Sequence, residues 1–157
     1  MPKRAHLFAG ILATACIATF FFSTIIAEAF GSHSSVANLK SLIVTPGLWI
    51  LVPSIAITGG SGFFLAKARK GRIADSKKKR MPIIAANGVL VLVPCAIVLN
   101  RWAASGSFDA NFYIVQAIEL LAGASNLTLM GLNIRDGLRL GGRLRASSAS
   151  AVQTRTQ

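Results

Sequence analysis

The sequence predicts an all-α fold, a polytopic membrane protein built as a four-transmembrane-helix bundle with both termini cytoplasmic. The first observation behind this is a shortage of charge. Only 14% of residues are charged and mean hydropathy is +0.58, whereas a soluble domain carries about 25% charged residues. The second is the presence of four apolar blocks, at about 7–30, 42–66, 82–102 and 112–134. Each has the roughly 20 residues a helix needs to cross ~30 Å of hydrocarbon. Backbone amides in lipid must bond internally, so each block reads as a helix. None shows the strict polar–apolar alternation of a β-barrel strand.

The third observation is where the cations stand. Lys and Arg number 17 against 5 Asp and Glu. Lys3 and Arg4 precede the first block, and Lys40 is alone in the segment after it. The next segment, 67–80, holds eight Lys or Arg against Asp75. Then come Arg101 and Asp109, and finally a tail with Arg135, Arg139, Arg143, Arg145 and Arg155. Cation-rich and cation-poor segments alternate, as the positive-inside rule requires. The termini and 67–80 are therefore expected in the cytoplasm, with loops at 31–41 and 103–111 outside. The location that follows is a bacterial inner membrane, crossed several times. Residues 1–140 form the membrane domain, and the Ser-, Ala- and Arg-rich residues 141–157 are expected to be a disordered tail. Ala27-Glu28-Ala29 has the small-residue spacing of a signal-peptide cleavage site. The apolar run before it is longer than the 7–15 residues of a signal, so a retained helix is expected.

Within the first block, Thr14, Thr19, Ser23 and Thr24 are small hydroxyl residues of the kind that line helix contacts in lipid. The second block contains Pro46 and Pro53, and Pro53 is expected to kink it by removing a backbone hydrogen bond. TGGSG (58–62) is then expected to end the helix. GLWILVP (47–53) in the second block is echoed by GVLVLVP (88–94) in the third. Inverted repeats produce such echoes in transporters, although chance suffices in a Leu-, Val- and Ile-rich alphabet.

The fourth block raises the main question. At ~100° per residue, Gln116, Glu119, Gly123, Asn126, Met130 and Asn133 fall on one narrow face. A carboxylate facing lipid costs several kcal/mol, so this stripe is expected to look into the bundle. It serves either as interhelical hydrogen-bond glue or as a polar site centred on Glu119. Glu28, near the same side of the membrane, and Asn87 of the third block are expected to share a vestibule with it. The candidate site is thus Glu119, Gln116, Asn126, Asn133, Asn87 and Glu28. In RDG (135–137), Asp136 is expected to pair with neighbouring arginines and Gly137 to end the helix.

Several functions lack their residues. There is no HExxH or GxSxG, so no enzyme and no cofactor are expected. His6 and His33 are the only histidines, and both sit near block ends. A haem-binding bundle needs histidines facing each other within it. No metal site is expected either, since His33 with Glu28 or Asp109 falls short of a full ligand set. Cys16 and Cys95 lack CxxC spacing and read as apolar fillers. The basic run 67–80 has no interleaved aromatics for base stacking, so its expected partner is the anionic cytoplasmic leaflet and not nucleic acid. The expected function is an accessory or binding component, working with a membrane-protein partner or as a homo-oligomer. The alternative is a proton- or cation-coupled small-solute transporter acting as an oligomer.

Overall fold

A computed structural model describes residues 2–67 and 72–140. The tail 141–157, expected to be disordered, lies outside the described residues, as does the 68–71 part of the basic segment. All regular structure among the described residues is helical. It comprises α1 (Pro2–Phe30), α2 (His33–Leu42), α3 (Trp49–Lys67), α4 (Arg72–Asn87), α5 (Val93–Ala104) and α6 (Ala110–Leu140). Wide, π-type turns over Ile43–Leu48 and Gly88–Leu92 join α2 to α3 and α4 to α5. Four helical stretches are long and apolar enough to cross a membrane: Ala5–Phe30, His33–Gly62, Lys79–Ala104 and Ala110–Leu138.

These boundaries differ from the sequence expectation in four places, each with a local cause. The segment 31–41, expected as a loop, is helical from His33 onward. Ser32 caps it, its Oγ accepting from the Ser35 N–H at 3.3 Å. The serines are therefore a helix start signal. The basic segment is helical from Arg72, because Lys and Arg are good helix formers and no breaker interrupts 72–81. TGGSG lies inside α3, which runs on to Lys67. Gly137 likewise lies inside α6, which continues to Leu140.

The kink is also displaced. It falls at Thr45 (φ −137°, ψ 111°), where Pro46 pushes the preceding residue out of the helical region. Pro53 is the fifth residue of α3, so the carbonyl it leaves without a donor belongs to Trp49, at the helix's very start. Pro94 is the second residue of α5, directly after the second wide turn. The two echoed heptads thus share a local form, a wide turn ahead of a proline. Gly47 closes in on α1 at the first turn, and Gly88 opens the second.

α1 lies along α3, α2 along α5, and α6 touches α1, α4 and α5. One core cluster joins Ala13 and Ile17 of α1 to Leu51 and Ile55 of α3, Ile84 of α4 and Met130 of α6. A second, at the other end of the bundle, joins Val36, Leu99, Ala103 and Phe112. Outside these, Phe8, Phe22, Phe30, Trp49, Leu90 and Leu121 stand exposed. Such a surface suits acyl chains better than water. The α5–α6 connection turns at Gly106, whose φ of +72° favours glycine. Asp109 then starts α6 by accepting from the Phe112 N–H at 3.1 Å.

Candidate functional site

The polar stripe of α6 faces the interior. Gln116, Gly123, Asn126, Met130 and Asp136 are buried, and only 13% of the Glu119 side chain is exposed. Three groups of contacts tie this face to other helices.

The first group surrounds Glu119. Lys40 of α2, 0% exposed, donates from Nζ to Glu119 Oε2 at 2.5 Å. Gln116, one turn earlier on α6, donates from Nε2 to the same oxygen at 3.0 Å. Glu28, near the end of α1, is close enough to Lys40, Glu119 and His33 to feel their charges. Cys95 of α5 lies in the same field of Lys40 and Glu119. Glu28 Oε1 and Gln116 Oε1 are buried with no hydrogen-bond partner among the described residues. Glu119 also borders a cavity of about 40 Å³, whose lining includes Phe20, Phe21, Thr24, Ile43 and Leu92. A water needs roughly 10–15 Å³ measured this way, so the cavity holds only a few waters or one small ion.

The second group lies seven residues further along α6, ~10 Å away at 1.5 Å per residue. Asn87 of α4 donates from Nδ2 to Asn126 Oδ1 and to the Ala122 carbonyl, both at 2.9 Å. Asn126, wholly buried, donates in turn to the Ile84 carbonyl at 3.4 Å. This is interhelical glue in its plainest form, side-chain amides bonding across two helices. Of the residues expected to share a vestibule, Glu28 lies within reach of the Glu119 charge, while Asn87 makes its side-chain bonds to Asn126 and the Ala122 carbonyl.

The third group is Asp136 with Arg80 of α4, Nη1 to Oδ2 at 2.7 Å. The neighbouring Arg135 adds a longer contact of 3.4 Å to the other oxygen. The expected pairing with adjacent arginines is thus secondary to a pairing across helices. Asn133 is half-buried, and its Oδ1 finds no partner among the described residues.

The other sequence candidates have local roles. Thr14 and Ser23 return their hydroxyls to the Gly10 and Thr19 carbonyls within α1, at 2.7 and 2.5 Å. Of that hydroxyl group Thr24 alone is buried. His6 Nδ1 lies 3.1 Å from both the Thr58 carbonyl and Ser61 Oγ, and so ties α1 to α3. His33 stacks on Phe108, ring centroids 4.1 Å apart. Among the described residues no group of three or more His, Cys, Asp or Glu could hold a metal ion.

Lys40 is the residue that sequence reasoning missed. Counted as a loop charge, it in fact occupies a core position of α2, in line with Val36, Ile43 and Gly47, which are also buried. That spacing of four, three and four was the available signal.

No protein-family model, curated protein or solved structure matches this chain.

Proposed function

We propose that the protein is a small, non-enzymatic inner-membrane protein of a bacterial cell, serving as an accessory or binding component through the cluster around Glu119. The observation that carries this reading is Lys40, fully buried against Glu119 with a second acid, Glu28, beside it. A buried ion pair is a poor source of stability, because well-packed apolar residues of similar size are often equal or better. Glue is already supplied by Asn87–Asn126 and Arg80–Asp136. The charged cluster is therefore read as a site. Its test is a host lacking its own copy of the gene, under conditions where the wild-type gene restores a measurable phenotype. Lys40→Met/Glu119→Leu is expected to accumulate in the membrane at wild-type level and to fail to complement. Full complementation by that variant would reduce the pair to packing.

Both termini are placed in the cytoplasm on the distribution of cations. With Lys40 inside the bundle, the outward segments carry even fewer free cations than the sequence count implies. Reporter fusions after Ser76 should read cytoplasm, and fusions near Ser35 and Ser107 should read outside. An outside signal at Ser76 would overturn the orientation.

A second reading, a proton- or cation-coupled small-solute transporter acting as an oligomer, is favoured by the cavity that Glu119 borders. At about 40 Å³ it is far below the ~300 Å³ at which small-molecule sites begin. In this reading the cavity beside Glu119 handles only the coupling ion, and the solute passes elsewhere.

A further inference from the structure

The cluster around Glu119 does not balance. Glu28 and Glu119 bring two negative charges, and Lys40, which donates to Glu119, brings one positive charge. The other groups facing them are His33 of α2, Cys95 of α5 and the neutral amide of Gln116. His33 is exposed and stacked on Phe108, at the edge of the group. One negative charge is thus left over among mostly apolar helices, where an unpaired charge is costly.

The unpartnered atoms point the same way. Gln116 is only 4% exposed, and its amide is held against the Glu119 carboxylate by its own N–H, leaving Oε1 buried with no donor. Glu28 Oε1 is in the same condition. Both orphans are acceptors, so what completes them must donate a hydrogen bond or carry positive charge. The cavity bordered by Glu119, whose lining includes neither Glu28 nor Gln116, has room for a small ion with a water or two. Two carboxylates and an amide oxygen, already shared with an ammonium, are too few and too weakly charged for a divalent metal.

We propose that Glu28, Glu119 and Gln116 form a binding site for one monovalent cation, either a proton or an alkali-metal ion. This rests on reading the cluster as a site, and it names the ligand class. The site takes a single positive charge because Lys40 has already neutralised one of the two acids. Glu28 is the residue whose charge the ion meets.

The test uses the purified full chain in detergent micelles and needs no phenotype, so it can fail while the complementation result stands. In one arm, thermal unfolding is followed as sodium or lithium chloride replaces choline chloride at constant ionic strength. An alkali-ion site predicts a rise in Tm that Glu28→Gln abolishes. In the other arm, infrared spectra at neutral pH are compared between wild type and Glu28→Gln. A proton site predicts a protonated-carboxyl band in wild type that the variant lacks. Should Glu28→Gln fail to accumulate, Gln116→Met removes the other orphan acceptor and should abolish the Tm rise or shift the band. If Tm ignores alkali ions and the wild-type carboxyl band is absent, the orphan oxygens hold water alone and the proposal is overturned.

Discussion

Lys40→Met is expected to destabilise the bundle by about 3–5 kcal/mol, the cost of leaving one partner of a buried ion pair behind. Methionine has the length of the lysine stem, so packing is largely kept and the change isolates the charge. Glu119 would retain only the Gln116 N–H. The expected observation is a large fall in Tm in detergent and reduced accumulation in the membrane. Lys79→Met, at an exposed position, should leave both unchanged. If Lys40→Met unfolds like wild type, Lys40 is not buried against Glu119.

The second large effect is expected at Gly47, and its cause is steric. A Cβ there would lie 2.6 Å from the Phe20 ring and 3.0 Å from the Leu42 carbonyl oxygen. The ring belongs to Phe20 of α1 and the carbonyl to the backbone at the end of α2, so a side chain and a backbone must both give way. Gly47→Ala should cost about 1–3 kcal/mol, the range for overpacking a filled site. Gly60→Ala is the control, since open space surrounds that position within α3. There alanine should be neutral or gain up to about 1 kcal/mol through helix propensity. Equal Tm values for the two variants would contradict the close approach of α1 to the turn.

Much of this arrangement was legible in the sequence because helices long and apolar enough to cross a membrane obey strong, simple constraints. The length of the apolar blocks gave four helical stretches, and the 3.6-residue period gave the inward face of α6 residue by residue. The inference that Glu119 must be shielded followed from the cost of a carboxylate in hydrocarbon. What could not be read was what shields it. Lys40 lies 79 positions away in sequence, and no local pattern encodes which helix its face will meet. Treating it as a topology charge hid the one clue, its register with Val36 and Ile43. The kink was misplaced for a related reason. Both Pro46 and Pro53 remove a backbone donor, but only Pro46 lies where the chain is free to bend between two helices. The polar stripe also proved to be three separate contacts with three partners, Lys40, Asn87 and Arg80. Periodicity places residues on a face but does not say where along it each neighbouring helix arrives.

The measurement that tests the central claim most directly is a double-mutant cycle on Lys40 and Glu119, read from unfolding in detergent. Lys40→Met and Glu119→Leu should each destabilise, while the double variant, with an apolar pair in place of an ionic one, should match the wild type or exceed it. The coupling between the two positions should then be at least as large as the Lys40→Met effect, about 3–5 kcal/mol. Single effects that simply add in the double variant, within about 0.5 kcal/mol, would show that the two side chains do not meet, and the account of the site would fall with them.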